Sequence, residues 1–193
     1  MTLVLASSSA IRRQMLEQAG VQFESVPANI DESAEKARRD DPGTLATALA
    51  RAKALAVSAD RPGDWVIGSD SVASVDGRLF EKPRDRTQAA EHLRFFSGKK
   101  MALTSAAALV CDGAVGWSFC DSARLQLRSL SEDFIQTYLD AEWPEVGYCV
   151  GVFRLEGRGV QLFDRIEGSF FTILGMPLLP LLGALRDRGV LGR

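Results

Sequence analysis

The chain has 193 residues, of which 46% are hydrophobic and 25% are charged. This composition is that of an ordinary globular protein, and it excludes a collagen, a coiled coil or a wholly disordered chain. The 23 Lys and Arg residues nearly balance the 25 Asp and Glu residues, so the net charge is −2. We therefore expect no stable nucleic-acid partner held by bulk attraction to phosphates. The length suits one sizeable domain, and we expect residues 1–193 to form it.

The cysteines and the longest uncharged stretch indicate the cellular compartment and whether the chain enters a membrane. The three cysteines, Cys111, Cys120 and Cys149, are odd in number and none has C-x-x-C spacing. With a single histidine, His92, they form no zinc-binding pattern, and a reducing cytoplasm is expected. The longest uncharged stretch, near residues 173–185, is interrupted by two prolines and two glycines. It is too short and too broken to span a bilayer, so we expect no membrane partner.

The first half of the chain alternates short strands and helices. Apolar runs predict strands at residues 2–6, 21–26 and 65–75. Helical spacing predicts one helix between the serines at 7–9 and Gly20, and an alanine-rich helix over 45–58. The charged residues 31–41 indicate a loop or an exposed helix, and Asp76-Gly77 is a hairpin signal.

The second half continues this alternation. We expect helices at residues 86–96, 131–140 and 177–188, and strands at 103–110 and 118–127 and around Val152, Val160 and Ile166. Gly157 and Gly159 are expected to form a hairpin turn. Strands that alternate with helices predict an α/β fold, and the hairpin signals predict a mixed sheet.

Two places in this pattern suit chemistry: a helix start that can bind an anion, and a carboxylate at the end of a buried strand. Ser7 and Ser9 precede a helix that carries Arg12, and backbone N–H groups at a helix start can bind an anion that an arginine also reaches. The alternative is that the serines only cap the helix and Arg12 is solvated, which this stretch alone favours. Asp70 ends a buried strand, where a carboxylate can bind a metal or accept a proton from water, although a turn-forming Asp is equally compatible.

Other candidates are weak when each is taken alone. Lys53 lies on the alanine-rich helix, Lys82 precedes Pro83, and Asp31-Glu32 lies in a loop. A solvated surface position is the commoner situation for such side chains. His92 is expected at the surface. No Walker A loop, no G-x-G-x-x-G after the first strand and no G-x-S-x-G elbow occurs in the sequence.

Taken in order, these segments resemble the Maf family of nucleotide pyrophosphatases. The motifs that carry the resemblance are L-A-S-S-S-A-I-R-R at residues 5–13, D-E at 31–32, A-K-A at 52–54, V-I-G-S-D at 66–70, E-K-P at 81–83, F-S-G at 96–98, and I-E-G-S with L-G-M-P-L at 166–178. No single motif is specific, but seven in the family's order are.

The resemblance implies an α/β enzyme, cytoplasmic and homodimeric. It implies an elongated, twisted mixed sheet that is flanked by helices and forms two lobes around a cleft. The implied reaction is hydrolysis of a nucleoside triphosphate between the α and β phosphates, with a divalent cation, Mg²⁺ or Mn²⁺. Asp70 matches the family's catalytic acid. The positions that match its substrate pocket are Ser7, Ser9, Arg12, Lys53 and Lys82, and we expect Glu32 and Asp70 to hold the metal.

Three positions bear on the choice of base. Ile11 stands where members that act on dTTP and UTP have Arg and members that act on 7-methyl-GTP have an aromatic residue. Ser71 replaces the Thr of the first group and the Gln of the second. Glu156 resembles the second group, since the first has Gln there. These residues favour a substrate other than dTTP or UTP. Two alternatives to a broad triphosphate pyrophosphatase remain, a dedicated 7-methyl-GTP pyrophosphatase and a non-catalytic nucleotide- or nucleic-acid-binding regulator linked to septum formation.

Overall fold

The computed structural model describes residues 1–38 and 41–192. The strands in these ranges are β1 Leu3–Leu5, β2 Glu24–Ser25, β3 Trp65–Val75, β4 Arg78–Phe80, β5 Lys100–Cys111, β6 Ala114–Leu127 and β7 Phe163–Glu167. The helices are α1 Ala10–Gln18, α2 Ser33–Ala37, α3 Pro42–Ser58, α4 Arg86–Phe96, α5 Glu132–Glu142, α6 Phe170–Leu174 and α7 Leu178–Asp187. Two 3-10 helices cover Glu145–Tyr148 and Arg158–Leu162.

The strands form one mixed sheet in the order β2-β1-β3-β5-β6-β7, with β4 paired to β3. Strand β1 runs parallel to β2 and β3, whereas β3–β4 and β6–β7 are antiparallel pairs, of which β3–β4 is a hairpin. The predicted α/β class with a mixed sheet flanked by helices is therefore confirmed, and the sheet is open.

The chain divides into two compact units. The first unit comprises Met1–Ser71, Thr104–Asp121 and the residues from Ser169 on, and the second comprises Val72–Leu103 and Ser122–Gly168. The predictions of a single domain over 1–193 and of a cleft between lobes stay predictions. In the described ranges, no helix combines the length and the apolar character that a membrane span needs.

In the first unit, β1 is buried on both faces. Leu3 and Leu5 pack in a core cluster with α1 and α7 residues such as Leu16 and Leu181. Val4 and Ala6 belong to a second cluster, whose other buried members are Ala54, Val57, Val66 and Val110. A parallel strand with helices on both sides is apolar throughout for this reason, and residues 2–6 read as a continuous apolar run.

Strand β3 and helix α3 approach each other very closely at Gly68. A Cβ atom at Gly68 would lie 2.0 Å from the carbonyl oxygen of Ala50 and 2.7 Å from the amide nitrogen of Ala54. Both of those atoms belong to the backbone of α3, so they cannot turn aside as a side chain can. Glycine at this position therefore sets the distance between the helix that carries Lys53 and the strand that carries Asp70.

The second unit has an aromatic core that includes the histidine. The His92 ring packs edge-on against Phe80, with centroids 5.1 Å apart, and also contacts Phe96. Its Nδ1 atom is buried and has no hydrogen-bond partner among the described residues. Burial lowers the pKa of His92. His92 is half-buried, so its ring is partly at the surface as expected, while aromatic side chains of β4 and α4 cover the rest.

Some sequence-based expectations fail, mostly in irregular segments. The strand predicted at 21–26 shrinks to Glu24–Ser25, and no strand forms around Val152 or Val160 within the described chain. Val160 lies in a 3-10 helix that follows Gly157, so the predicted hairpin turn at Gly157 and Gly159 was also wrong. The charged segment 31–41 contains α2, in agreement with an exposed helix, although Arg39 and Asp40 lie outside the described residues.

We predict that Gly68→Ala destabilises the protein because the added methyl group collides with the backbone of α3. Overpacking of this kind costs about 1–3 kcal/mol or more. For a chain of this length that loss lowers Tm by roughly 2–4 °C for each kcal/mol, measurable by thermal unfolding followed by circular dichroism.

The matched control is Gly183→Ala, at a glycine inside α7 where a Cβ meets nothing within 4 Å. Alanine is the better helix former, so this variant should keep or raise Tm. Equal Tm values for the two variants would contradict the close approach at Gly68.

Candidate active site

The centre of the candidate site is a lysine shared by two carboxylates. Lys53 on α3 contacts Asp70 Oδ1 on β3, and its Nζ lies 2.8 Å from Glu32 Oε1. The second oxygen of Glu32 lies 3.0 Å from Nζ of Lys36, one turn along α2. The side chains of Lys53 and Asp70 are only 15% and 13% exposed. Two acids and one ammonium group therefore form a compact, mostly shielded ion cluster in the first unit.

The pKa of Glu32 shows that positive charge in this cluster compensates for burial of the carboxylate. Burial raises the pKa of its carboxyl, but hydrogen bonds and positive charge from Lys53 and Lys36 outweigh burial and leave that pKa below its usual value. Glu32 therefore stays ionised at neutral pH, ready to act as an oxygen ligand or an ion-pair partner.

Arg12 belongs to the same charged cluster, and a backbone carbonyl and a serine hydroxyl hold its guanidinium in place. Its Nε donates to the carbonyl oxygen of Gly175 at 2.8 Å, and its Nη2 donates to Ser71 Oγ at 3.0 Å. Burial lowers the pKa of the guanidinium, while the charges of Asp70 and Glu32 raise it. Arginine stays charged in proteins, so Arg12 contributes a fixed positive charge close to the two acids.

Gly175 holds this arrangement through one carbonyl group. Besides Arg12, that oxygen accepts from Ser69 Oγ at 3.0 Å and from Ser71 Oγ at 3.1 Å. Gly175 ends α6 at a φ of 110°, a conformation that favours glycine. Sequence reasoning missed Ser69 and this role of Gly175. The sequence signal for Gly175 is the L-G-M-P-L motif. This motif supports the family resemblance, but by itself it does not indicate a contact with Arg12.

Ser71 is enclosed by hydrogen bonds. Its hydroxyl lies 2.8 Å from Ser105 Oγ, which in turn donates to the carbonyl oxygen of Thr172 at 2.8 Å. The hydroxyl of Ser71 thus contacts Arg12, Ser105 and Gly175. Its assignment as a specificity residue stays a prediction, and these contacts connect it to Arg12 directly.

The serines before α1 shape the turn into the helix. Ser9 occupies the N-cap position, but within the described chain its side chain makes no capping hydrogen bond. Ser7 is buried, and its Oγ accepts from the Ser9 amide at 3.2 Å. Ile11 is half-buried on the first turn of α1. The Ser9 hydroxyl therefore does not cap the helix as the alternative interpretation expected. Anion binding at this helix start stays a prediction.

Two predicted site residues, Lys82 and Glu156, belong to the second unit and are exposed. Both lie near Cys149. Burial raises the pKa of this thiol to about 11, with a further increase from the charge of Glu156 and an opposing effect from Lys82. The structure therefore gathers Glu32, Lys53, Asp70 and Arg12 in the first unit, and Lys82 and Glu156 around Cys149 in the second.

The donor set around Lys53 also suits a divalent cation. Two carboxylates, Glu32 and Asp70, converge on one ammonium group, so each has an oxygen near a common point. The described residues contain no group of three or more His, Cys, Asp or Glu side chains that could hold a metal by themselves. Mg²⁺ is usually bound by one or two carboxylates together with substrate phosphates and water. The residues therefore fit a cation that binds together with a polyphosphate.

We predict that Lys53→Met destabilises the protein at pH 7 by about 1–3 kcal/mol, since two half-buried carboxylates lose a charged partner. The lowered pKa of Glu32 means that the unfolded chain binds its proton more readily. The contribution of Glu32 to stability is then present above its ordinary pKa of 4.5 and is lost as the pH falls through the lowered folded value.

Urea unfolding of wild type and Lys53→Met at pH 7 and pH 4 measures this effect. The difference in unfolding free energy should be smaller at pH 4. Lys36→Met is the matched control, because Lys36 touches Glu32 from a more exposed position and should cost less. A difference for Lys53→Met that is equal at both pH values would contradict this interpretation of the cluster.

Comparison with known proteins identifies relatives of this site and fold. The family model described as Maf-like protein matches residues 2–188. A Rhizobium etli protein named 7-methyl-GTP pyrophosphatase is 50% identical over 193 residues and covers 98% of this chain and 97% of its own length. A Nitrobacter hamburgensis protein named nucleoside triphosphate pyrophosphatase is 48% identical over 191 residues, with 98% and 95% coverage. Over nearly its whole length, and as its ordered motifs predict, the chain belongs to the Maf family.

Proposed function

We propose that this chain hydrolyses nucleoside triphosphates between the α and β phosphates, which yields a nucleoside monophosphate and pyrophosphate. The observation that carries the proposal is the cluster in which Lys53 joins Glu32 and Asp70 beside Arg12. Relatives whose names describe this activity match the chain over nearly their whole length. We further propose that the reaction removes modified or non-canonical nucleotides.

The charge pattern of the cluster suits a polyphosphate. Arg12 presents a planar guanidinium that the Gly175 carbonyl and the Ser71 hydroxyl orient, so little entropy is lost when it binds phosphate oxygens. Lys53 shields two acids in the free protein. When a triphosphate arrives, we propose that the Lys53 ammonium turns to the phosphate oxygens and frees the carboxylate of Asp70.

Asp70 then takes the proton of the attacking water. Water attacks the α phosphorus in line and the bond to the bridging oxygen of the β phosphate breaks, so pyrophosphate leaves. Glu32 and Asp70 would hold Mg²⁺ or Mn²⁺, which when bound neutralises charge on the phosphate oxygens. Ser7, Ser9 and Lys82 are proposed as further substrate contacts on the family resemblance.

Two further assignments belong to this proposal. We place the enzyme in the cytoplasm, where nucleoside triphosphates are made and used, and we propose a homodimer, as the family resemblance implies.

A narrower candidate function is a dedicated 7-methyl-GTP pyrophosphatase. The Rhizobium etli relative with that name and the carboxylate at Glu156 favour this candidate over activity on dTTP or UTP.

The test of the proposed function is a panel of plain and methylated nucleoside triphosphates assayed for pyrophosphate release, with and without Mg²⁺ and Mn²⁺. Asp70→Asn should lower kcat by about 10²–10⁴-fold, since a positioned base is lost while the shape of the side chain is kept. Asp60→Asn, at an exposed carboxylate just beyond α3, should retain wild-type rates. Absence of pyrophosphate release from every nucleotide, or full activity of a folded Asp70→Asn, would contradict the proposal.

Glu156→Gln and Ser71→Ala separate base reading from positioning of Arg12. Glu156→Gln should change the ratio of kcat/KM between methylated and plain GTP by roughly tenfold, because an anionic acceptor becomes neutral. Ser71→Ala removes an acceptor of Arg12 and should lower kcat/KM for all nucleotides by roughly tenfold. A change in the order of the nucleotides would support Ser71 as a specificity residue, and an unchanged order would assign it to the positioning of Arg12 alone.

A further inference from the structure

Arg12 rests on two hydrogen-bond partners, one a side chain and the other a turn of the backbone. Its Nη2 donates to Ser71 Oγ at 3.0 Å, and its Nε donates to the carbonyl oxygen of Gly175 at 2.8 Å. The third nitrogen, Nη1, has no hydrogen-bond partner among the described residues. The positions of Ser71 and of the turn at Gly175 therefore determine where Nη1 points, and Nη1 remains available for a phosphate oxygen.

Ser105 on β5 contacts both of these supports. The residue is fully buried, and its Oγ lies 2.8 Å from Ser71 Oγ and donates to the carbonyl oxygen of Thr172 at 2.8 Å. The same Thr172 carbonyl accepts from the amide of Gly175 at 3.1 Å. One buried hydroxyl group thus joins the serine and the α6 turn that hold Arg12.

The hydroxyl protons give this network a direction. Ser105 has a single hydroxyl proton, and the Thr172 carbonyl takes it. The 2.8 Å contact between the two serines then requires the Ser71 proton, which leaves the Ser71 oxygen to accept from Arg12. The donors therefore run from Arg12 through Ser71 and Ser105 to the end of α6, and each bond in such a chain strengthens its neighbours.

Loss of the Ser105 hydroxyl would redirect the Ser71 proton. A second acceptor within its reach is the Gly175 carbonyl oxygen at 3.1 Å, which Arg12 and Ser69 already contact. A carbonyl oxygen has two lone pairs, so these donors would compete for it. The guanidinium of Arg12 would then lose part of its hold on the backbone.

We propose that Ser105 is a positioning residue that orients Arg12 for phosphate binding. It accepts the proton of Ser71 and fixes the Thr172 carbonyl. The Gly175 carbonyl is thereby left to Arg12, whose guanidinium presents Nη1 to the phosphates of a nucleoside triphosphate. This inference rests on the proposed function, and every residue of the network lies in the first unit.

The first test measures the hold on Arg12 without any substrate. A hydrogen-bonded Nε–H group exchanges its proton with water slowly, and NMR of 15N-labelled protein measures this rate. Arg12→Lys identifies the Arg12 signal by its disappearance. In Ser105→Ala, exchange at Arg12 should become roughly fivefold faster, which is the effect of about one weakened hydrogen bond.

Ser58→Ala is the matched control, because it also removes a buried serine hydroxyl from the first unit. Ser58 is 3% exposed, and its Oγ accepts from the Gly113 amide at 3.2 Å, outside the chain of donors that begins at Arg12. Exchange at Arg12 should keep its wild-type rate in this variant. A second variant, Thr172→Val, removes the 2.6 Å hydrogen bond by which Thr172 Oγ1 anchors α6 to Asp121, and it should also speed the exchange.

The second test measures phosphate binding. Inorganic tripolyphosphate carries the charges of the substrate without its base, and isothermal titration calorimetry gives its Kd. Ser105→Ala should raise this Kd roughly fivefold, because a less fixed guanidinium loses more entropy on binding. In an Arg12→Met background the same substitution should raise Kd no further, since Ser105 acts through Arg12. A merely structural role would raise Kd by the same factor in both backgrounds.

The outcomes separate this inference from the function on which it rests. Unchanged exchange at Arg12 in Ser105→Ala, or in Thr172→Val if Ser105→Ala does not fold, overturns the positioning role. An equal rise in Kd in both backgrounds overturns it as well, and pyrophosphate release by the wild-type protein still supports the proposed function. If the wild-type protein binds no tripolyphosphate and releases no pyrophosphate from any nucleotide, the proposed function fails and the inference fails with it.

Discussion

The structure depends on the sharing of one ammonium group between two carboxylates. Glu32 comes from the segment before α2 and Asp70 from strand β3, and without Lys53 between them their like charges would lie close together in a poorly solvated place. With Lys53 both carboxylates have a charged partner, and the lowered pKa of Glu32 keeps that group ionised. In the proposed mechanism, a triphosphate enters a region where these charges already exist and only change partners.

Backbone geometry, rather than long side chains in solvent, holds this cluster in place. Gly68 allows α3 to approach β3, and this brings Lys53 to Asp70. Gly175 turns its carbonyl oxygen toward Arg12 and two serines. Both contacts exclude a Cβ or strongly favour glycine, so the positions of the cations follow from how tightly the elements pack. Preorganised charge of this kind stabilises a developing anion without reorganisation during the reaction.

The second unit carries its candidate residues in a different setting. Its Lys82 and Glu156 are exposed and lie near Cys149 on irregular segments rather than on long regular elements. Irregular segments tolerate sequence change and are the usual place for recognition, but they need restraint if they are to select between similar ligands. Helix α5 contacts one of these segments, since Tyr138 donates to the carbonyl oxygen of Val152 and Glu142 pairs with Arg154.

The sequence by itself determined the α/β class, most helices and long strands, and the family, because apolar periodicity and the order of short motifs are local properties. It missed the irregular segment around Val152, the packing of His92 against aromatic rings and the shortening of the strand at 21–26, since contacts with distant residues overrode local preference there. Lys53, Glu32 and Asp70 were individually ordinary in the sequence. Only tertiary structure decided that they share one ion cluster, because the approach of α3 to β3 at Gly68 joins positions that are far apart in the chain.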